Sequence, residues 1–279
     1  MKVIFIADFF MEQVLGGGEL NNEEFINIIK DSGITVEKVQ SHQATAAMFE
    51  NNKDSKFIVA NFINLREECK ELLKMLSYVI YEHDHKYLKS RNPAEYDNFV
   101  APKGQIINRD FYKNAKAVLC QSAFHAEIVK QNLELNNIVS LSGNLWSKQA
   151  IELFRVFLDK EKKDRCSIMD SPIPHKNTRQ TVLFCNHKQR EYELISSEDY
   201  KEFLDQLSNN KTFVFFPKTP ETLSRVIVEA RMMGMGVITN GLVGATQEPW
   251  YSKKGVELIQ EVEEMRDRIP KMVLEVLYD

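Results

Sequence analysis

Two acidic side chains, Glu221 and Glu229, stand eight residues apart and carry the clearest chemical pattern in the sequence. Apolar residues recur at helical spacing from Glu221 onward, which predicts one helix with a single buried stripe. Two helical turns would separate the carboxylates by about 12 Å, with Arg225 between them. The first turn would offer free N–H groups and a positive dipole end to a phosphate. The segment could therefore bind a long, anionic, hydroxyl-rich ligand with the dimensions of a nucleotide-sugar.

The elements that would position these acids lie on both sides of the predicted helix. A short apolar run at 213–216 indicates a buried strand, Pro217 and Pro220 interrupt the backbone, and Gly234 and Gly236 precede another strand. A strand, a helix and a strand with short connections are typical of a parallel αβ layer. For the acidic spacing by itself, an amphipathic surface helix with a Glu–Arg pair is the alternative.

The residues ETLSRVIVEA, with PKTP before them and GMGVIT after them, resemble the E-x7-E signature of the retaining family-four glycosyltransferases. The resemblance implies an α/β protein of the GT-B fold, with two Rossmann-like domains facing a cleft. It further implies that Glu229 holds the ribose hydroxyls and that Glu221 contacts the donor sugar as a catalytic residue. Leu223 and Ser224 replace the family's usual aromatic–Gly pair, and with Arg225 they are expected to line the donor site.

A glycine-rich segment, GGGE, follows the first predicted strand at Lys2 to Ala7. A strand, a glycine turn and a helix are a common way to bring backbone close to a phosphate, although glycines also serve simply to turn the chain. The segment resembles the GG-x-E-like turn of family-four enzymes. The resemblance implies that Gly17 and Gly18 let the backbone reach the donor.

Two histidines follow the strand predicted at Tyr78 to Glu82. Residues at the carboxyl end of a parallel strand point toward the ligand crevice. The resemblance implies that His83 is the active-site histidine, with His85 as second choice on the acceptor side; a solvated polar loop is the alternative. Two histidines are too few for a zinc site, and no D-x-D pair at a strand end could hold Mg²⁺, so we expect no metal.

A long, weakly patterned region follows, from Lys86 to Lys116. It carries seven basic residues against three acidic ones, with aromatic residues interleaved. Loops of this length are usually functional or mobile. We expect it to face an anionic acceptor through Lys89 and Arg91; a merely solvated loop is the alternative.

The second phosphate-binding element is predicted at 171–177. Relatives show a GR-x4-KG pattern there, in which Arg and Lys grip the diphosphate. Lys176 matches the lysine, but Ser171 stands at the arginine position. His175, Lys188 or Arg225 could supply the missing charge.

The domain organisation is predicted as an N-terminal Rossmann-like acceptor domain over 1–160, a C-terminal nucleotide-sugar-binding domain over 161–255, and a bracing helix over 256–279, broken at Pro270. Only about fifty residues separate Cys166 from Glu221, so the C-terminal domain is shortened. This compact size resembles that of phage-encoded sugar transferases.

The net charge, the apolar runs and the cysteine content exclude several other classes of protein. The net charge of −4 argues against a general nucleic-acid coat or a membrane-surface protein. No apolar run is long enough to span a membrane, and the four widely spaced cysteines are typical of reduced thiols in a cytoplasmic protein.

The sequence therefore predicts a metal-independent, retaining glycosyltransferase without a cofactor, which uses a UDP- or GDP-linked sugar. The acceptor stays open: a glycan, a lipid-linked sugar, a protein, a small molecule or a modified nucleobase would fit. A non-catalytic nucleotide-sugar-binding GT-B protein and a sugar-nucleotide epimerase are the alternatives.

Overall fold

The computed structural model describes residues 2–279. Contacts divide the chain into two compact units, each built on a parallel β-sheet. Unit 1 comprises the chain up to Trp146 together with Met265–Asp279, and unit 2 comprises Ser147–Glu264. Helix α6, Lys148–Leu158, belongs to unit 2, whereas the sequence analysis ends the first domain at residue 160. The domain boundaries stay a prediction.

Unit 1 contains a six-stranded sheet in the order β2-β1-β3-β4-β5-β6, with every neighbouring pair parallel. The strands are β1 Lys2–Ala7, β2 Thr35–Gln40, β3 Lys56–Val59, β4 Tyr78–Glu82, β5 Val118–Cys120 and β6 Ile138–Ser140. The helices before β6 are α1 Gly17–Asp31, α2 Ala46–Asn51, α3 Glu67–Leu73, α4 Arg109–Asn114 and α5 Ala123–Leu133.

The strand order of unit 1 reverses between β1 and β3. Chain segments that leave these two strands diverge at their carboxyl ends, which is where open αβ sheets bind ligands. Asp8, directly after β1, links the segment that follows β1 to the segment that follows β3. Its carboxylate accepts hydrogen bonds from the backbone N–H groups of Ile63 at 2.9 Å and Asn64 at 3.0 Å.

Unit 2 contains a four-stranded parallel sheet in the order β10-β9-β7-β8. Its strands are β7 Lys163–Met169, β8 Tyr192–Ile195, β9 Asn210–Phe215 and β10 Gly236–Thr239. Its helices are α6, α7 Thr178–His187, α8 Tyr200–Leu207 and α9 Arg225–Met232. The strand order here reverses between β7 and β9, so the loops after these two strands meet at one edge.

Three segments differ from the sequence predictions. Helix α10, Val256–Tyr278, continues through Pro270, because one proline removes a single helical hydrogen bond without necessarily ending the helix. The region 86–116 is not a plain loop, since it contains helix α4 and several 3-10 turns. Gly17 and Gly18 are the first residues of α1 rather than a separate turn, and Gly16 is the N-cap.

Candidate functional site

Glu221 does not lie on the helix that the sequence predicts. Helix α9 begins at Arg225, and Glu221 forms an isolated parallel bridge with Val243. Its backbone N–H donates to Leu242 at 2.8 Å, and its carbonyl accepts from Gly244 at 2.9 Å. The prediction of two acids on two turns of one helix is therefore wrong: backbone pairing with the segment after β10 fixes Glu221.

The helix starts late because Ser224 adopts a left-handed conformation, with φ 72°. This backbone favours glycine and costs another residue about 1–3 kcal/mol. The position is the one where the family-four pattern has its glycine. The Ser224 hydroxyl is buried without a hydrogen-bond partner in the part of the chain that the structure describes. Leu223 is fully buried, so its side chain lies in the interior rather than at the surface.

The reversal point of unit 2 brings Lys176 and Glu221 together. Lys176 ends a short 3-10 turn after β7, and its ammonium lies 2.8 Å from a Glu221 carboxylate oxygen. The two side chains are 25% and 14% exposed, so the ion pair is partly accessible. Asn177 donates to the carbonyl of Phe216 at 2.9 Å, which ties the loop after β7 to the end of β9. An ammonium and a carboxylate thus meet at the edge expected to bind ligand.

Glu229 lies one turn into α9 and is only 3% exposed. Its carboxylate accepts a hydrogen bond of 2.7 Å from the Tyr200 hydroxyl and lies 3.6 Å from the Arg225 guanidinium. Burial, followed by the charge of Glu229, raises the pKa of Tyr200 well above its ordinary value, so the hydroxyl stays a donor. This cluster is not the exposed Glu–Arg pair of a surface helix. The sequence analysis missed Tyr200, which no local spacing links to Glu229.

The position of the missing arginine holds no cation. The Ser171 hydroxyl accepts from the N–H of Ile173 at 3.3 Å. Of the candidate substitutes, Lys188 follows the last turn of α7, at the opposite end of that helix from the loop after β7. Lys218, exposed and bonded through its N–H to the carbonyl of His175 at 2.8 Å, is a nearer cation. It stands in the PKTP segment, which is where the sequence could have revealed it.

In unit 1, His83 occupies the carboxyl end of β4, as predicted, and lies between two amides. Its Nε2 is 2.6 Å from the Asn22 side-chain oxygen on α1, and its Nδ1 is 2.7 Å from the Gln121 side-chain nitrogen after β5. A Cβ atom on Gly18 would lie 3.6 Å from the ring. The structure therefore places the predicted histidine against the glycine-rich start of α1.

His85 lies inside unit 1 and is 3% exposed. Its ring packs edge-on against His125, with centroids 5.1 Å apart, and its Nδ1 lies 2.9 Å from the Tyr87 hydroxyl. Burial, and then the neighbouring His85, hold the pKa of His125 well below its ordinary value. Because it is buried, His85 is not accessible to an acceptor in this arrangement. We had expected it on the acceptor side.

The basic region after β4 carries less free charge than its sequence suggests. Lys86 is buried in an ion pair with Glu82, which also accepts from the Tyr112 hydroxyl. Arg91 is exposed but forms an ion pair with Asp84. Burial opposes ionisation of Asp84, yet Lys86 and Arg91 outweigh it and lower the pKa. Lys89 stays exposed, as an acceptor-facing cation would be.

Glu19 adds a titratable carboxyl group at the start of α1. Its side chain lies close to Gly16 and 3.4 Å from the Asn61 amide nitrogen, after β3. Burial raises its pKa above the ordinary 4.5. Across residues 2–279, no group of three or more His, Cys, Asp or Glu side chains could hold a metal ion. Within the same range, no helix is long and apolar enough to cross a membrane.

The two parallel αβ units define the fold class, which comparison with solved structures confirms as GT-B. The chain matches an "alpha-glucosyltransferase in complex with UDP and a 13-mer DNA containing a HMU base" with a TM-score of 0.53 at 10% identity, covering 100% of this chain and 95% of that one. It matches Anabaena Alr3699/HepE in complex with UDP and glucose with a TM-score of 0.51 at 13% identity, covering 99% and 94%. A HepE complex with UDP-glucose matches equally, with a TM-score of 0.51. No protein-family model and no curated protein matches the sequence.

Proposed function

We propose that the chain is a glycosyltransferase that moves a sugar from a nucleotide-sugar to an acceptor, with retention of the anomeric configuration. The observation that carries the proposal is the Lys176–Glu221 pair at the reversal point of unit 2, with the buried Glu229 on the following helix. A cation suits a diphosphate, and carboxylates suit sugar and ribose hydroxyls. Three of the matched structures contain UDP or UDP-glucose, which favours a UDP-linked donor over a GDP-linked one.

The proposed reaction breaks the bond between the anomeric carbon and the phosphate oxygen. The electron pair stays on the oxygen, so negative charge grows on the diphosphate while the sugar becomes cationic. Lys176 and the N–H groups at the start of α9 would stabilise the diphosphate, and Glu221 would contact the sugar. Such fixed groups lower the barrier because their interactions strengthen as the charges develop. The acceptor oxygen then bonds the anomeric carbon on the same face and transfers its proton to the departing diphosphate.

His83 is the catalytic candidate of unit 1 by resemblance, and Gly17 and Gly18 are the backbone candidates for approach to the donor. Among the matched structures, one holds DNA with a modified base and another holds glucose. The acceptor of this chain therefore stays among a glycan, a lipid-linked sugar, a protein, a small molecule and a modified nucleobase. Lys89 and Arg91 are the side chains we expect to contact an anionic acceptor.

The second candidate is a non-catalytic protein that binds a nucleotide-sugar. Ser171 favours it, because a missing cation weakens stabilisation of the leaving diphosphate. A sugar-nucleotide epimerase is the third candidate. Epimerase action would convert the donor into an isomer, whereas a transferase releases UDP and a non-catalytic protein leaves the donor unchanged.

A thermal-shift screen with UDP- and GDP-linked sugars in EDTA tests the proposal. A ligand that binds only the folded state raises the melting temperature, so UDP-glucose should do so without a divalent ion. Lys176→Met should reduce the shift, whereas Lys201→Met, an exposed lysine on α8, should not. Stabilisation that is abolished by EDTA and restored by Mg²⁺ would contradict metal independence. Absence of any shift would contradict donor binding.

A further inference from the structure

The ring of His83 is held at both nitrogens by side chains from two other elements. Asn22 on α1 places its amide oxygen 2.6 Å from Nε2. Gln121, just after β5, places its amide nitrogen 2.7 Å from Nδ1. The ring also packs against Tyr81, with centroids 4.7 Å apart. His83 is thus a side chain whose orientation is fixed from several directions.

The chemistry of the two amides selects one protonation state. An amide oxygen only accepts a hydrogen bond, and an amide nitrogen only donates. Nε2 must therefore carry a proton, and Nδ1 must present its lone pair. In an imidazolium ring, the Nδ1–H would point at the N–H groups of Gln121. Both contacts are satisfied only by the neutral ring.

Gln121, which donates to Nδ1, is enclosed in unit 1. The residue is only 4% exposed, and its backbone is tied on both sides. Its N–H lies 3.3 Å from Nδ1 of His125, and its carbonyl accepts from the N–H of Gly143 at 2.8 Å. Asn22 is buried as well, and its amide nitrogen has no hydrogen-bond partner among residues 2–279.

We propose that Asn22 and Gln121 are positioning residues that hold His83 as a neutral imidazole protonated on Nε2. The catalytic consequence rests on the proposed function. During transfer the donor sugar becomes cationic. An uncharged His83 ring can form hydrogen bonds in the site without adding positive charge to it. The protonation state itself does not depend on the function, which makes the two separable by experiment.

Several ionisable groups lie on the elements around His83. The groups on the surrounding elements are Glu19 on α1, Tyr81 on β4, Asp84 and His85 in the following loop, and His125 on α5. The Asp84 carboxylate is paired with Arg91, and Lys86 also acts on it. Burial raises the pKa of Glu19.

Nuclear magnetic resonance of ¹⁵N-histidine-labelled protein tests the proposal on the wild type alone. Long-range ¹H–¹⁵N spectra distinguish the two neutral tautomers from the imidazolium, and His83→Asn assigns the signals. We expect His83 to show the Nε2–H pattern from pH 8 down to pH 5.5. An Nδ1–H tautomer or an imidazolium at His83 within this pH range would overturn the proposal.

Variants at residue 121 test the cause. Gln121→Glu replaces the donor by an acceptor of the same shape, so His83 should be an imidazolium at pH 7. Gln121→Met removes the donor without adding charge, so the His83 pKa should move back toward 6.5. Gln131→Glu, at an exposed glutamine on α5, is the matched control and should leave His83 unchanged. If Gln121→Glu does not fold, Gln121→Met still decides: an unchanged His83 there would contradict the role of Gln121.

The pH profile of sugar transfer links the proton to catalysis. The kcat of the wild type should not change with pH in a way that follows protonation of His83. The Gln121→Glu variant should be inactive at pH 7, and its kcat should recover as the pH rises through the new His83 pKa. A Gln121→Glu profile that matches wild type would contradict the positioning role. If the wild type neither binds nor turns over UDP-glucose while His83 is in the Nε2–H form, the proposed function fails and the proton assignment stands.

Discussion

Neutralising the two glutamates one at a time should have opposite effects on UDP binding. Glu221 forms an ion pair with Lys176 at 2.8 Å, so a diphosphate that binds Lys176 would compete with this carboxylate. Partly exposed ion pairs contribute about 1 kcal/mol at most. Glu221→Gln should therefore tighten UDP binding by up to about fivefold, since 1.4 kcal/mol corresponds to tenfold.

Glu229→Gln should weaken UDP binding by about tenfold, because hydrogen bonds from ribose hydroxyls to a carboxylate are stronger than those to a neutral amide. Glu221→Gln should still lower kcat with the full donor, since its contact is proposed to strengthen only as the sugar becomes cationic. The UDP dissociation constants of the two variants should thus differ by about tenfold to about 50-fold.

Isothermal titration with UDP measures these constants, and Glu191→Gln is the matched control. Glu191 lies at the surface of unit 2 in an ion pair with Arg165, so its loss should not change UDP binding. If both glutamate variants bind UDP and turn over donor like the parent chain, the E-x7-E assignment is wrong. If Glu221→Gln weakens UDP as Glu229→Gln does, Glu221 positions Lys176 rather than competing for it.

Three further predictions concern other parts of the candidate site. Tyr200→Phe removes the hydroxyl that donates to Glu229 at 2.7 Å, so UDP should bind about fivefold more weakly, and a double-mutant cycle should show that the loss disappears in Glu229→Gln. Charge reversal at Lys89 and Arg91 should raise the acceptor KM and leave UDP affinity unchanged; Lys89→Glu is the cleaner test, because Arg91 also pairs with Asp84. Burial raises the folded-state pKa of Glu19 above 4.5, so its ionisation opposes folding as the pH rises. Relative to wild type, the unfolding free energy of Glu19→Gln should therefore increase from pH 4.5 upward. Equal pH dependence of the two proteins in urea melts would refute this.

Much of the fold follows from local sequence patterns. Buried strands such as β4, Tyr78–Glu82, are continuous apolar runs, as expected for a parallel sheet covered on both faces. Helix α5, Ala123–Leu133, has a clear start signal in Ser122, whose hydroxyl accepts from the N–H of His125. Apolar periodicity and caps are properties of neighbouring residues, so they can be read from the chain directly.

The start of α9 shows where local patterns fail. Leu223 fits the helical stripe of its segment, but it is buried in a bend before the helix. Ser224 provides no side-chain cap, and the pairing of Glu221 with Val243 joins residues that are distant in sequence. Periodicity reports that a residue is buried and leaves open which conformation buries it.

The partners of the candidate residues were also beyond the sequence. Asn22 lies 61 residues from His83, Gln121 lies 38 residues from it, and Tyr200 lies 29 residues from Glu229. None of these pairs has a characteristic spacing, because each depends on how strands are ordered in the sheets. The resemblance to a known signature indicated which residues to examine, and the structure supplied their neighbours.

Sugar transfer with retention is tested most directly by a time-resolved NMR measurement. The substrate is UDP-glucose carrying ¹³C at the anomeric carbon, with purified protein in EDTA. UDP-glucose is an α-glycoside, and water can act as a slow acceptor when no other is present. A retaining transferase should release UDP, and the first glucose to appear, before mutarotation, should be the α-anomer. Glu221→Gln should slow both the release of UDP and the appearance of α-glucose. First appearance of β-glucose would contradict retention. Donor that is neither consumed nor bound would contradict the assignment as a nucleotide-sugar transferase.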